Sequence, residues 1–184
     1  EGARLILPDE DLDAICYSCT SASVVIGDEE IETAIRQAKP GVPVITPPLA
    51  AVRGLQALRA CRISVLTPYT IETSGPMAAY FAAKGVDIAN FTCFGLDDDR
   101  QMARITPQSL VTAAREAMAG DADALFISCT ALRAALAIAD IEEVIGKPVV
   151  SSNLATAWAT LRICGETAPQ PALGRLMAQP LAGW

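Results

Sequence analysis

Short runs rich in apolar residues alternate along this chain with longer stretches in which apolar residues recur at helical spacing. The runs fall at residues 13–18, 43–46, 62–67, 87–93, 124–128 and 148–151, rich in Ile, Val, Leu and Phe. Such runs suit strands buried on both faces of a parallel sheet. Between them the pattern predicts helices over 28–39, 48–59, 73–84, 107–119, 131–145 and 153–164. Asp28 and the pair Thr106-Pro107 are helix-start signals, and Gly41, Gly85, Gly120 and Gly146 stand where helices should stop. Regular alternation of strand and helix is the pattern of an α/β fold with mainly parallel strands.

One phrase occurs twice. Asp13-Ala14-Ile15-Cys16-Tyr17-Ser18-Cys19-Thr20-Ser21 returns as Asp123-Ala124-Leu125-Phe126-Ile127-Ser128-Cys129-Thr130-Ala131. A second pair follows in each half: Gly41-Val42-Pro43-Val44-Ile45 and Gly146-Lys147-Pro148-Val149-Val150. The chain therefore reads as two duplicated halves, each presenting a thiol at the carboxyl end of a strand. In the second half residues 62–122 precede the phrase, whereas in the first half only residues 1–12 do. The first lobe is thus expected to be incomplete at its N-terminus, lacking the loop that would match Thr67-Pro68-Tyr69-Thr70.

Composition narrows the chemistry. Hydrophobic residues make up 52% of the chain and charged ones 19%, which fits a globular protein. A net charge of −7 leaves no basic stripe to meet phosphates, so no nucleic-acid partner is expected. No apolar run reaches the roughly 20 residues that span a bilayer, so no membrane partner is expected and a cytoplasmic protein is the default. The six cysteines are scattered and expected to be reduced. Histidine is absent, which removes Ser-His-Asp and Cys-His triads and His-ligated zinc. Acid–base work must come from Cys, Asp, Glu, Lys or Tyr.

Cys19 and Cys129 are the candidate catalytic residues. Ligands of open α/β sheets bind beyond the carboxyl ends of the strands. A cysteine there, at a helix start, meets unpaired N–H groups and the positive end of the helix dipole, which favour the thiolate. The same N–H groups, with the hydroxyls of Thr20, Ser21 and Thr130 and the adjoining Ala131, suit a carboxylate or an enolate-like oxyanion. The competing reading, a small buried hydrophobe, loses ground because the context is duplicated.

Other motifs read as follows. Cys16 and Cys19 lie three apart on a strand and so diverge, leaving Cys16 as core packing, and Cys61, Cys93 and Cys164 read the same way. Tyr69 and Thr70 close a strand at the cleft and suit a second carboxylate; the alternative is a turn with Thr70 or Thr73 capping the next helix. Asp97-Asp98-Asp99-Arg100 reads as a solvated turn; otherwise Asp99 reaches a substrate ammonium, or Arg100 the substrate. Ser151-Ser152-Asn153 most simply caps the last helix at the cleft rim.

At Tyr17-Ser18-Cys19-Thr20-Ser21, Leu66-Thr67-Pro68-Tyr69-Thr70, Met102-Ala103-Arg104-Ile105, Phe126-Ile127-Ser128-Cys129-Thr130 and Pro148-Val149-Val150-Ser151-Ser152-Asn153 the chain resembles the aspartate/glutamate racemase superfamily. The resemblance is to its branch of maleate cis–trans isomerases, arylmalonate decarboxylases and ectoine-utilisation isomerase-like proteins, over about residues 12–165. It implies two pseudo-symmetric flavodoxin-like lobes with the active site between them, and neither cofactor nor metal. Residues 1–60, completed by 153–184, would form the first lobe and 61–152 the second. Cys19 and Cys129 match the two catalytic cysteines, and Tyr69 matches a tyrosine that contacts the substrate carboxylate. The family's Asn-containing loop after its first strand has no match here. The expected activity is a cofactor-independent isomerase or racemase acting on a small carboxylate or amino-acid derivative, in a homo-oligomer. The decarboxylases of the family have glycine at the first cysteine position, so Cys19 argues against that reaction. A non-catalytic carboxylate-binding protein and a Cys16–Cys19 dithiol oxidoreductase remain as alternatives.

Overall fold

A computed structural model describes residues 1–184 as six strands and nine helices. After a single turn α1 (Gly2–Leu5) come β1 (Ile15–Cys16), α2 (Thr20–Ile26), α3 (Asp28–Arg36), β2 (Val44–Ile45) and α4 (Pro47–Ala57). The second half runs β3 (Arg62–Tyr69), α5 (Ile71–Ala83), β4 (Asp87–Leu96), α6 (Asp99–Met102), α7 (Pro107–Ala117), β5 (Ala124–Ile127), α8 (Ile138–Ile145), β6 (Val149–Ser151) and α9 (Ser152–Ile163). All six expected strands form. They make two parallel sheets, a β1–β2 pair and a four-stranded sheet in the order β4-β3-β5-β6.

The duplicated phrases produce duplicated geometry. Ile15 N–H donates to Pro43 O at 2.9 Å, and Leu125 N–H donates to Pro148 O at 3.0 Å. Ile15 pairs with Val44 as Leu125 pairs with Val149. The helices that follow the matching strands, α4 and α9, pack on each other. Ala50, Ala51, Ala155 and Ala159, all fully buried, provide small side chains on these two helices, while Leu55 and Trp158 fill the space beside them.

Strands β3 and β5 are buried nearly throughout, β5 as its unbroken apolar run requires and β3 with Ser64 and Thr67 enclosed among its apolar residues. Pro68 sits in β3 without breaking the sheet. The β3–β5 ladder ends at Leu66–Ile127, and a register shift between Thr67 and Tyr69 on the β4 side absorbs the missing N–H. Strand β4 lies at one edge of the four-stranded sheet and is half-exposed along most of its length.

Helix starts follow the sequence at three places. Thr70, Thr106 and Ser151 accept hydrogen bonds from the N–H groups of Thr73, Ser109 and Leu154. Gly146 ends α8 in the left-handed conformation (φ +70°). Asp28 departs from expectation: it is the first residue of α3 rather than its cap. Its carboxylate instead accepts from Thr46 Oγ1 (2.6 Å) and Tyr80 Oη (2.7 Å) and faces Lys84 Nζ (3.4 Å), tying α3 to the end of β2 and to α5. That partly buried arrangement pushes the Tyr80 phenol well above its usual range, by burial first and by Asp28 next.

Two further departures bear on the site. The helix start expected after Cys19 forms as α2 (Thr20–Ile26), a helix whose extent the apolar spacing does not delimit. The helix expected from residue 131 begins only at Ile138, after a 3-10 turn at Ala134–Leu136. The cysteines other than Cys19 and Cys129 also differ from expectation. Cys16, Cys61 and Cys164 are exposed and Cys93 is half-buried, so none of them packs fully in the core. No helix is long and apolar enough to cross a membrane.

The C-terminal segment is pinned by polar groups. Arg162, 8% exposed, donates to the carbonyls of Met177 (2.7 Å), Glu166 (2.8 Å) and Gln179 (3.2 Å). Buried Glu142 accepts from the N–H groups of Val149 (2.9 Å) and Arg175 (3.0 Å). Glu142→Ala leaves both donors without this acceptor, at about 1–3 kcal/mol for the buried Val149 N–H and less for the part-buried Arg175 N–H. Urea unfolding should register that loss, whereas Glu143→Ala on the exposed side of α8 should fall within about 0.5 kcal/mol of the parent. Equal effects would refute the assignment.

Candidate active site

Both repeated cysteines stand at the carboxyl edge of the sheets, but their surroundings differ. Cys19 follows β1 as the residue preceding the first turn of α2, with extended backbone (φ −141°). Its carbonyl accepts from Ser23 N–H (3.0 Å) and Ser23 Oγ (2.6 Å), which seals the helix start. Its half-buried sulfur lies 3.9 Å from Ser21 Oγ.

Cys129 is strained and enclosed. Its φ of +95° is rare for any residue with a Cβ and is the kind of conformation that surrounding contacts must hold. Only 3% of its surface is exposed. The residues that follow do not start a helix. Their backbone turns back so that Ala131 N–H meets the sulfur at 3.3 Å, and Leu132 N–H also points to it. These donors were expected to make the thiolate the favoured form. Burial outweighs them and raises the Cys129 thiol above its ordinary value, with the nearby negative charge of Asp99 adding to the rise. Hydrogen bonds from Tyr69, Ala131 and Leu132 act in the opposite sense.

Tyr69 connects the two sulfurs. It ends β3, is 6% exposed, and its phenol lies within electrostatic reach of Cys129, Ser21 and Cys19. Its pKa is raised far above the usual range, first by burial and then by Cys129, so it stays a neutral hydrogen-bond donor. The two repeated cysteines, Ser21 and Tyr69 therefore share one neighbourhood.

A residue that sequence reasoning treated only as a cap holds the two phrases together. Ser151 caps α9, which leaves the next serine free. Ser152 Oγ, fully buried, accepts from Thr20 Oγ1 at 2.9 Å and from Cys129 N–H at 3.1 Å. A second tie runs from Thr130 Oγ1 to Ser18 O at 3.2 Å. Two adjacent serines after a strand, with only one needed as a cap, is the signal that could have found Ser152.

The remaining expected site residues fall into two groups. Ser21 and Tyr69 face the sulfurs, and Ala131 contributes its N–H. The hydroxyls of Thr20, Thr70 and Thr130 are engaged within the protein, in the Ser152 bond, the α5 cap and the Ser18 bond. Asn153 Nδ2 donates to Thr130 O at 2.9 Å, which leaves Asn153 Oδ1 buried with no partner; Ser128 Oγ is likewise unpartnered.

A family model described as arylmalonate decarboxylase matches residues 3–177. Maleate isomerase of Nocardia farcinica (strain IFM 10152) is 30% identical over 190 residues, covering 99% of this chain and 76% of that protein. Arylmalonate decarboxylase of Bordetella bronchiseptica is 32% identical over 149 residues, covering 79% of this chain and 62% of that protein. A solved structure of a Nocardia farcinica maleate cis-trans isomerase mutant with a covalently bound succinylcysteine intermediate superposes with a TM-score of 0.87. Its identity is 26%, over 95% of this chain and 74% of that one. With its repeated halves, parallel sheets and nearly end-to-end match, the chain belongs to the arylmalonate decarboxylase family, in the branch of the aspartate/glutamate racemase superfamily that also holds the maleate isomerases.

Proposed function

We propose that this protein is a cofactor-independent isomerase in which Cys19 and Cys129 act on opposite faces of one carbon centre of a small carboxylate. The observation that carries this reading is buried Ser152, whose hydroxyl accepts from Thr20, the residue after Cys19, and from Cys129 N–H, so that both cysteines border one site together with Tyr69. A hydroxyl there is placed to bind a substrate carboxylate between the sulfurs. The succinylcysteine of the Nocardia farcinica maleate isomerase mutant supports cysteine chemistry in a relative of the same fold.

Two reaction courses suit a pair of thiols. In racemisation one thiolate removes the α-proton, the electron pair is held as an enolate-like anion, and the opposite thiol returns a proton to the other face. In cis–trans isomerisation one thiolate adds to a carbon–carbon double bond, the resulting single bond rotates, and elimination restores the double bond and the thiolate. Ala131 N–H and the Tyr69 hydroxyl would stabilise the oxyanion in either course. Decarboxylation is the other activity carried in the family; the cysteine at position 19 favours the two-thiol courses over it.

The test is proton NMR in deuterated water with maleate, aspartate, glutamate and N-acetylated diamino acids. Solvent deuterium at the α-position marks proton transfer, whereas conversion without exchange marks addition and rotation. No turnover of the panel, with Cys19 and Cys129 inert to alkylation until unfolding, would overturn the proposal in favour of a binding protein.

Tyr69→Phe gives a narrower prediction. Its hydroxyl lowers the Cys129 pKa, so its loss should raise that pKa further. A rate that needs the Cys129 thiolate then has its rising limb displaced to higher pH. At neutral pH kcat should fall about 10- to 100-fold, the scale of one lost hydrogen bond to a charged group. A pH–rate profile that superimposes on the parent would contradict this role.

A further inference from the structure

Strand β4 is a sheet edge without the usual guards. Its ten residues, Asp87–Leu96, pair with β3 on one side and with no strand on the other. Between Ile88 and Leu96 it carries neither a charged residue nor a proline. Its register slips opposite Ile63–Ser64 and Thr67–Tyr69, but Asn90–Cys93 runs regularly between those points. Soluble proteins blunt such edges with Lys, Pro or a covering element, because the unpaired N–H and C=O groups accept another strand.

Helix α5 packs beside β4 and exposes a stripe that continues this surface. Ile71, Gly75, Ala78, Ala82 and Gly85 recur at spacings of four and three residues, so they follow one side of the helix, and all five are exposed. The last three border a groove of about 390 Å³ closed on its far side by Val86, Asp87 and Ile88, which places the stripe on the β4 side of α5. At the opposite end Ile71 projects with 76% of its surface exposed. The uncharged stripe thus carries a knob at one end and a hole at the other, with Ala78 midway between them in sequence.

We infer that this face, the β4 edge with the adjoining side of α5, is where a second copy of the chain docks about a twofold axis normal to the sheet. That axis sets two β4 strands antiparallel, edge to edge, and two α5 helices antiparallel above them. Centred on Ala78, it brings the Ile71 of each copy to the Ala82–Gly85 end of the other, where the groove lies. A contact between identical patches needs such self-complementarity. The ten residues of β4 span about 33 Å, and sheet plus helix layer make the face roughly 20 Å deep. That is about 600 Å² per copy and about 1,200 Å² for the pair, the lower limit of stable specific interfaces, so an exchanging dimer is expected. The inference stands apart from the two-thiol reading, since it uses neither sulfur.

The experiment is sedimentation velocity over a concentration series, with the axis position as the lever. The parent should shift from monomer to dimer as concentration rises. Ala78→Arg and Ala78→Glu each set two like charges against one another, so each should stay monomeric where the parent is dimeric. Far-UV circular dichroism should be unchanged in both, because Ala78 is exposed. Mixed in equal amounts, the two variants should form a dimer holding one chain of each, read by native mass spectrometry; a folding defect gives no such rescue. Ile71→Ser should raise the dissociation constant about 10-fold or more, the scale of one large apolar side chain returned to water. Glu143→Arg, on α8, should leave the dimer intact. A parent that is monomeric at every concentration, a dimer that persists in both Ala78 variants, or a mixture of them that stays monomeric would overturn the inference.

Discussion

Cys129→Ala and Cys19→Ala should each lower kcat by about 10²- to 10⁴-fold, the range attributable to one positioned acid–base group, and by more if the sulfur forms a covalent bond. The fold should survive both changes. Cys19 is half-buried and its sulfur makes only a 3.9 Å contact to Ser21 Oγ. Cys129 is enclosed, but alanine removes a single atom and the cavity cost is small beside a typical domain stability of about 5–15 kcal/mol. What holds the strained backbone at Cys129 is Ser152, which remains in both variants. Circular dichroism and urea unfolding should therefore match the parent while turnover is lost. Activity above a tenth of the parent in either variant would remove that thiol from the mechanism.

The raised pKa of Cys129 adds a pH signature to the same experiment. At neutral pH its enclosed thiol is protonated and poised to give a proton, and its thiolate accumulates only above the ordinary thiol range. Alkylation of Cys129 in the folded protein should accordingly rise with pH and be half-maximal above pH 9, the ordinary value being 9.0. Half-maximal modification below the ordinary value would contradict the electrostatic account of the site.

Strands were the legible part of this fold, and the reason is simple. The run 124–127 is too uniformly apolar to lie at the surface, and 62–67, despite Arg62, Ser64 and Thr67, is rich enough in Ile, Val and Leu to pair with it inside a parallel sheet. Helix α2 was legible at its start, after Cys19, but not in its extent, because Thr20–Ile26 is rich in Ser, Thr and Val, which local preference steers away from helix; its contacts with α3, α4 and α5 override that preference. The late start of α8 has the opposite cause. Ala131–Ala137 has helical composition, but the turn that aims N–H groups at Cys129 occupies its beginning. Of the site, the thiols and Tyr69 were visible because each ends a readable strand. Exposed Cys16 could not be read: burial on a two-residue strand depends on what covers each face, which spacing alone does not reveal. Ser152 was hidden because its partners, Thr20 and Cys129, are distant in the chain.

Ser152→Ala should combine a loss of stability with a loss of activity, and it is the most direct probe of how the two halves are joined. The substitution leaves Thr20 Oγ1 and Cys129 N–H buried with no acceptor, at about 1–3 kcal/mol for each orphaned donor. At roughly 2–4 °C per kcal/mol for a chain of this size, Tm should fall by about 5–15 °C. The same loss frees the strained turn at Cys129 and the start of α2 beside Cys19, so kcat should drop about 10- to 100-fold. Ser152→Thr keeps the acceptor and should recover part of both losses. Thr20→Val, which removes one donor, supplies the double-mutant cycle: with Ser152→Ala already in place, Thr20→Val should cost less than it does alone, because the donor it deletes has no acceptor left. Additive stability losses across that cycle, together with an unchanged kcat in Ser152→Ala, would mean that the two repeated phrases are positioned independently and that Ser152 does not join them.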